Sequence, residues 1–372
     1  MKILQLGKFY PIKGGVEKVM YVLAKGLSER GITCDILFAS GDGKVETIQL
    51  NDHGKIYLSK TMVEAKATMI SPTMITILRK ICRNYDIIHV HHPDPMAALA
   101  LFMSGYKGKV VLHWHSDIIR QHSLLRFYKP LQTWLLNRCD LIVGTTPVYI
   151  SQSSALKDYQ QKTTYLPIGI PDPVTNWDKV KEIQARYAGK RIVFALGRLV
   201  LYKGFEYLIE ASKELDDSYI VLLGGTGHQH QHLKNLIENS QLQDKVIMLG
   251  YVPDDELDAY FEACTLFCLS SFDKREAFAI VQTNAMAHGK PVVSVDIPES
   301  GVPWVNQHGV TGINVKPRDS HAIAEAIKYV CADEQRYRQF GMNARKRFET
   351  LFREEDMITA CENIYADVLK NE

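Results

Sequence analysis

The sequence predicts an α/β protein of two doubly wound, parallel-sheet domains, and three observations predict it. Short apolar runs, the mark of strands buried on both faces, recur along the chain. Segments with apolar residues at helical spacing separate them, so strands and helices alternate. Third, Pro167-Ile-Gly-Ile-Pro-Asp-Pro173 sets three prolines and a glycine in seven residues, and the alternation restarts beyond it. Such a stretch marks a domain boundary. The expected domains are 1–168 and 169–352, and a length of 372 residues accommodates both cores.

The elements follow in order. Ile3–Leu6 reads as a strand and Gly7 to Gly15 as a glycine-bearing loop. Val16 to Glu29 is a helix with Val19, Met20, Leu23 and Leu27 on one face. Gly31 ends it and Thr33–Ala39 returns as a strand. In 40–70 the pattern supports one strand, Ile56–Leu58. Beyond come a helix at Thr73–Arg83, a strand at Ile87–Val90, a helix at Met96–Met103, a strand at Val110–Trp114 and a helix at Leu124–Asn137. Leu141–Val143 is a strand, Pro147 starts a short helix and Thr163–Leu166 closes the series. The second half gives strands at Ile192–Leu196, Tyr219–Leu223, Val246–Leu249, Leu266–Leu269 and Pro291–Val295. Helices lie between them, from Gly204 to Glu214, at His232–Asn239, at Glu256–Ala263 and from Phe278 to His288. A final helix, Arg353–Leu369, carries Met357, Ile358, Cys361, Ile364 and Tyr365 as its apolar stripe, and periodicity leaves open which domain it packs on.

Bulk properties exclude several classes. A chain 46% hydrophobic and 23% charged is an ordinary globular composition rather than a disordered one. A net charge of +2 without a basic block argues against nucleic acid as a partner. Seven scattered cysteines without a Cys-x-x-Cys fit buried free thiols in a reducing compartment. The start, Met1-Lys-Ile-Leu-Gln-Leu-Gly7, reads as a strand rather than a signal peptide, and no apolar run approaches membrane-spanning length. The expected location is the cytoplasm.

Three constellations carry chemistry. After the strand ending at Leu196, Gly197-Arg198 and Lys203-Gly204 precede a helix. Two cations beside a helix start at a strand end seat a diphosphate, or are simply solvated. The loop Phe9-Tyr-Pro-Ile-Lys-Gly14-Gly15 lets backbone amides approach an anion, or is a plain turn. It lacks G-x-G-x-x-G, which demotes a dinucleotide dehydrogenase. Histidines cluster at two strand ends, with His89/His91 and His113/His115 as same-face pairs. Further Cys or His ligands at structural-metal spacing are missing, so hydrogen-bonded cleft histidines and no metal are expected. His115-Ser116-Asp117 lies just past its strand, where an imidazole can hydrogen-bond a hydroxyl or stabilise developing charge. The third constellation runs from Ser271 to Gly289. Glu276 precedes a helix whose first amides, at Ala277–Ala279, are open to a hydroxylated or anionic ligand. No Asp-x-Asp occurs, so Arg198 and Lys203 would supply the charge that a divalent metal otherwise brings.

Gly197-Arg198 with Lys203-Gly204, then Glu276-Ala-Phe before Ala285-Met-Ala-x-Gly289, resembles the retaining GT-B glycosyltransferases of family 4. The Gly14-Gly15 loop, His115, Pro167-Ile-Gly-Ile and Gly309-Val-Thr-Gly312 stand in the matching order. The resemblance spans nearly the whole chain. It implies two Rossmann-like domains facing across a cleft, the first holding the acceptor and the second the nucleotide sugar, with the last helix (353–372) crossing back. It implies that Arg198 and Lys203 grip the donor diphosphate, that Glu276 contacts the donor sugar, and that the amides of Phe278, Ala279 and Ile280 assist. Gly14, Gly15 and Gly197 approach the donor, and His115 lies near the transferred sugar, with Asp117 and His91 on the acceptor side. The reaction implied is metal-independent, retaining transfer of a hexose or N-acetylhexosamine from a UDP- or GDP-sugar to a glycan or undecaprenyl-linked glycan, with no cofactor.

Two positions depart from the family. Asn284 replaces a second glutamate that holds the ribose, and Ala279 replaces a common glycine. Ser300-Gly-Val-Pro-Trp-Val-Asn306 is similar to the version in bacterial surface-polysaccharide (O-antigen or capsule-type) transferases. The Asn284 change also leaves open a non-catalytic nucleotide-sugar-binding subunit, and the scaffold a UDP-sugar 2-epimerase. Residues 120–138 mix Arg126, Lys129 and Arg138 with Leu124, Leu125, Phe127, Tyr128, Trp134 and Leu135. That suits an interfacial helix at the inner face of the membrane, or a core helix with a solvated basic face.

Overall fold

The computed structural model describes residues 1–12, 14–65, 68–118 and 122–370; the side chains of 65, 68, 122–125 and 127 lie outside the description. The chain divides into two compact units, 1–169 with 354–372, and 170–353.

The first unit runs β1 (Lys2–Tyr10), α1 (Gly15–Glu29), β2 (Thr33–Ser40), β3 (Glu46–Asn51), β4 (Gly54–Lys60), β5 (Val63–Ala65), β6 (Thr68–Ile70), α2 (Pro72–Ile81) and β7 (Ile87–His92). It continues with α3 (Pro95–Ser104), β8 (Lys109–Trp114), α4 (His122–Arg138), β9 (Leu141–Gly144), α5 (Pro147–Gln152) and β10 (Thr163–Tyr165). Its sheet has the order β10-β9-β8-β7-β1-β2-β4-β3, parallel except for the β3–β4 hairpin. The single strand expected in 40–70 is corrected to this hairpin and a second one, β5–β6. All six residues of β3 are exposed or half-exposed, so no apolar run announces it.

The second unit runs α6 (Trp177–Arg186), β11 (Arg191–Leu196), α7 (Phe205–Ser212), β12 (Tyr219–Gly224), α8 (His230–Asn239), β13 (Val246–Gly250), α9 (Asp254–Ala263), β14 (Leu266–Cys268) and α10 (Ile280–Ala287). Then come β15 (Val292–Val295), α11 (Val302–Val305), β16 (Gly312–Val315), α12 (Ser320–Ala332) and α13 (Glu334–Leu351). The sheet is β13-β12-β11-β14-β15-β16, all parallel. Helices α6, α11, α12 and α13 and strand β16 add to the sequence reading.

The last helix, α14 (Glu354–Lys370), belongs to the first unit and packs on α1. Gly26 makes the approach close, because a Cβ there would lie 2.2 Å from Ile358 Cδ1. Arg30 fixes the far side through Glu362 at 3.0 Å and Thr359 at 2.8 Å.

Each sheet has one point where strand order reverses, between β7 and β1 in the first unit and between β11 and β14 in the second. Loops from the carboxyl ends of such strands diverge and open a crevice, which is where open α/β sheets bind ligands. The strand-end residues singled out from sequence fall beside these two points.

Candidate functional site

In the second unit, β11 ends at Leu196 and a short 3-10 turn, Leu201–Lys203, leads into α7. Gly204 joins them at φ 63°, and a Cβ there would lie 2.4 Å from the Ser270 carbonyl, so only glycine fits. That packing brings the 197–204 loop against the segment after β14. Lys203, 9% exposed, places Nζ 2.5 Å from Glu276 Oε2, itself 8% exposed. Ser271 Oγ donates to the same carboxylate at 2.8 Å, and Ser270 Oγ donates to the Lys203 carbonyl at 2.9 Å. Gly197 keeps the lysine stem close, since its absent Cβ would sit 3.3 Å from Lys203 Cε.

Arg198 is exposed, and its guanidinium reaches the Tyr202 hydroxyl at 3.5 Å. Around the Tyr202 ring also stand Lys203 Nζ at 5.8 Å and the Arg275 guanidinium at 4.6 Å. Arg275 is neutralised by Asp273, at 2.7 and 3.0 Å. Of these three cations only Arg198 has no carboxylate partner among the described residues. The loop is a positively charged shelf whose one uncompensated charge is presented to solvent.

The segment 276–279 leads into α10. Ser300 Oγ donates to the Glu276 carbonyl at 2.5 Å and Gly301 N to the Ala277 carbonyl at 2.9 Å, which holds the turn. Phe278 is core, its ring edge-on to Phe352 at 5.8 Å, so only its backbone is available to a ligand. Ala279 is the N-cap at φ 61°, ψ 69°, a left-handed conformation that costs a residue with a Cβ about 1–2 kcal/mol. The amides of Phe278 and Ala279 have no backbone partner among the described residues, and those of Ile280 and Val281 are the free first-turn donors of α10. Asn284 lies one turn on, half-exposed, and its carboxamide makes no hydrogen bond among the described residues.

In the first unit the expected donor-facing loop holds an unexpected anion. Gly14 is the N-cap of α1, and a Cβ there would lie 2.3 Å from Glu17 Oε2. The buried Glu17 carboxylate therefore lies at the positive end of α1 beside Gly14 and Gly15.

The histidines are interior. His89, His91, His92, His113 and His115 are each at most 5% exposed. Burial pushes every one of them below the ordinary histidine value, to about 3 for His92 and His113, so they are neutral. The ring nitrogens of His89, His91 and His113 lie within 4.8 Å of one another, but the rings are stacked, with His89 and His113 only 6° from parallel. His91 bonds Gln5 Oε1 at 2.7 Å through Nε2 and His115 Nε2 at 2.9 Å through Nδ1. Both of its nitrogens are engaged and the ring is fully buried. Asp117 accepts from Trp114 Nε1 at 2.9 Å and Ser153 Oγ at 2.8 Å through one oxygen, and shapes the loop after β8.

Of the 120–138 stretch, Arg120 lies outside the described residues, and in the described part Tyr128, Gln132, Leu135 and Leu136 are buried while Arg126 and Lys129 are exposed. This part of α4 is a core helix with a solvated basic face. An exposed apolar patch lies on the neighbouring α3, where Leu99, Phe102 and Met103 share a face and Phe102 meets Trp134 edge-on at 4.9 Å. Among the described residues no helix is long and apolar enough to cross a membrane.

Sequence reasoning gave no role to Arg275, Tyr202, Ser271 or Glu17. It also passed over Gly224-Gly-Thr-Gly227, which hydrogen-bonds the 197–204 loop through Gly224 O to Gly197 N at 3.0 Å and Thr226 O to Leu199 N at 2.8 Å. Three glycines in four residues at a strand end were the available signal.

Comparison with known proteins places both halves. Residues 13–171 match the family model described as Glycosyltransferase Family 4, and residues 177–347 match Glycosyl transferases group 1. The O-antigen chain mannosyltransferase C of Escherichia coli is 30% identical over 374 residues, covering 100% of both chains. The D-rhamnosyltransferase WbpZ of Pseudomonas aeruginosa is 29% identical over 359 residues, 95% of this chain and 92% of that one. Among solved structures, the sucrose-phosphate synthase of Thermosynechococcus elongatus has a TM-score of 0.80 at 19% identity over 100% of both chains. Anabaena Alr3699/HepE in complex with UDP has a TM-score of 0.79 at 20% identity, covering 99% of this chain and 100% of that one. These structures share the fold.

Proposed function

Because the chain belongs to the group 1 glycosyl transferases and has the GT-B fold, we propose that it is a retaining, metal-independent sugar transferase of bacterial polysaccharide synthesis. The donor is a UDP- or GDP-hexose or N-acetylhexosamine, and the acceptor is a glycan or an undecaprenyl-linked glycan. The names of the two full-length relatives, an O-antigen mannosyltransferase and a rhamnosyltransferase, support a hexose and a polysaccharide product.

The observation that carries the reading is the buried Lys203–Glu276 pair beside exposed Arg198, with the free amides of α10 adjoining it in the chain segment after Glu276. A nucleoside diphosphate needs positive charge without water competing for it, and a hexose needs a carboxylate that accepts from hydroxyls. Lys203 has three donor hydrogens, of which Glu276 takes one, so the ammonium still has donors for a phosphate oxygen. In the proposed step the bond from the sugar's anomeric carbon to the phosphate oxygen breaks as the acceptor oxygen bonds the same face. The acceptor's proton passes to the departing phosphate oxygen, so no protein nucleophile takes part. Arg198 and Lys203 stabilise the diphosphate, at about 1.5–3 kcal/mol per charge-assisted hydrogen bond.

A lipid-linked acceptor requires approach to a membrane, and the Leu99–Phe102–Met103 face of α3 is the apolar surface suited to it. Exposed Arg79, Lys80, Arg83 and Lys107 lie on and after the neighbouring helices and would meet anionic headgroups.

Calorimetric titration with UDP, GDP and dTDP, each with and without EDTA, tests the reading. One nucleotide should bind clearly best, with its Kd unchanged by EDTA and weakened in Arg198→Ala. Binding that EDTA abolishes would overturn the metal-independent mechanism, and no binding by any nucleotide would overturn the assignment of the donor site.

A further inference from the structure

The buried histidines of the first unit are connected in a definite direction. Gln5, at the centre of β1 and fully buried, holds its Oε1 2.7 Å from His91 Nε2 and its Nε2 2.9 Å from the Tyr365 hydroxyl. A carboxamide oxygen only accepts, so the proton of His91 is on Nε2. Burial keeps His91 neutral, so its Nδ1 is bare and the 2.9 Å bond to His115 is donated by His115 Nε2–H. His115 is also neutral through burial, which leaves its Nδ1 without a proton. At the other end Tyr365 receives the Gln5 N–H and donates its own proton to His89 Nδ1 at 2.6 Å. Every bond is donated in the same order, from His115 just past β8 to His91 on β7, to Gln5 on β1, to Tyr365 on α14 and back to His89 on β7.

We propose that Gln5, His91 and Tyr365 are positioning residues that fix His115 as the Nε2–H tautomer, so that the last helix of the chain makes His115 Nδ1 a hydrogen-bond acceptor. The ligand group it selects is a hydroxyl donor, on the transferred sugar or the acceptor, and not a carbonyl or phosphate oxygen. The assignment of His115 to the ligand side rests on the transferase reading, but the tautomer does not. Among the described residues His115 Nδ1 has no partner, whereas each ring nitrogen of His91 has one. A lone His115 would populate both tautomers; with the Gln5 oxygen toward His91 and its nitrogen toward Tyr365, reversing any one bond leaves two donors or two acceptors facing each other, so the orientation of the Gln5 carboxamide sets the choice.

The test is nitrogen-15 NMR of the full chain labelled at histidine, with His115 assigned from His115→Gln. The wild type should show His115 protonated at Nε2 and bare at Nδ1 at neutral pH without any ligand. Tyr365→Phe frees the Gln5 carboxamide to turn, and Gln5→Leu removes the acceptor of His91. Both should give a mixture of His115 tautomers, and both should lower kcat/KM by roughly tenfold, the worth of one hydrogen bond of about 1.4 kcal/mol. A wild-type His115 protonated at Nδ1 overturns the proposal, as does a tautomer unchanged in both variants. If Gln5→Leu does not fold, the wild-type spectrum and Tyr365→Phe, which keeps the ring, still decide. If no sugar is transferred at all, the tautomer is read regardless, so failure of the transferase reading and failure of the relay are told apart.

Discussion

The two units place polar groups at the same topological point of the same kind of sheet and keep them in opposite ways. The first buries five histidines, all neutral; four are joined by hydrogen bonds to Gln5, Tyr365, Gln132 or one another, and His113 is held by ring stacking. The second keeps charge: Lys203 against Glu276 and Arg275 against Asp273. A neutral network suits recognition of hydroxyls by direction of the hydrogen bond. A charged one suits a diphosphate, whose charge must be met before and after the sugar leaves. The chemistry proposed for each unit follows from how its polar groups are held, not from the shape of the sheet.

The sharpest test separates the exposed from the buried cation. Arg198→Ala should lower turnover by about 10²–10³-fold with an unchanged melting temperature, because Arg198 is exposed and unpaired with any carboxylate among the described residues. Lys203→Ala should lose comparable activity and also about 3–5 kcal/mol of stability, because Glu276 is left charged and buried. The double variant Lys203→Met with Glu276→Leu should regain most of that stability and none of the turnover. Equal melting temperatures for the two single variants would remove the comparison between shelf and pair.

Next in size is the response to acid. The unfolded chain protonates histidine near 6.5, whereas burial holds His92 and His113 to about 3 in the folded unit. Below 6.5 the unfolded state therefore binds more protons, and the first unit loses stability as pH falls from 6.5 toward 3. Each such histidine contributes up to about 1.4 kcal/mol per pH unit. His288 has the opposite sign. Burial lowers its value, but Asp258 and Glu262 outweigh burial and raise it, so its contribution is present below 6.5 and fades as pH rises through the raised value. Hydrogen exchange between pH 7 and 5 should show protection lost first in β7 and β8, with α9 and α10 spared. Uniform loss would sink the contrast.

How much of this was legible depends on the range of the contact. The strand-end loops at Gly197–Lys203 and Glu276 were legible because parallel strands are apolar runs, against which the charged residues at their carboxyl ends stand out. The Lys203–Glu276 pair was not, since 73 residues separate its members in sequence and only the β11–β14 pairing brings them together. Alternation gave His89/His91 and His113/His115 as same-face pairs but not their burial, because a polar strand face reads as a cleft unless α14 is known to cover it. Helix α14 was read correctly as amphipathic, yet Tyr365 counted only as apolar stripe, its hydroxyl bonding partners lying 276 and 360 residues away. The β3–β4 hairpin was missed for want of buried residues in β3, and Glu17 because an acid in a first turn has a sufficient reason in the helix dipole.

Smaller effects test the donor side of the charged unit. The carboxamide of Asn284 makes no hydrogen bond among the described residues, so it is at the ligand's disposal. Asn284→Glu replaces a neutral partner of a ribose hydroxyl by a charged one and should tighten nucleotide binding by roughly fivefold, about 1 kcal/mol. An unchanged Kd would show that position 284 does not touch the ribose.

The smallest effect expected is at Ala279, where two consequences of one methyl can be separated. At φ 61° the Cβ is strained by about 1–2 kcal/mol, and glycine there loses part of that gain to the greater freedom it has unfolded, roughly 0.5–1 kcal/mol. Ala279→Gly should therefore stabilise the chain by about 0.5–1 kcal/mol in urea titration. The methyl sits on the turn whose amides are proposed to meet the donor, so its removal should also tighten nucleotide binding. Stabilisation without tighter binding would confine the methyl to backbone strain and move the donor's contact to the amides of Ile280 and Val281. Tighter binding without stabilisation would mean that the strain at 279 is relieved by the surrounding turn, through the Ser300 and Gly301 hydrogen bonds that hold it.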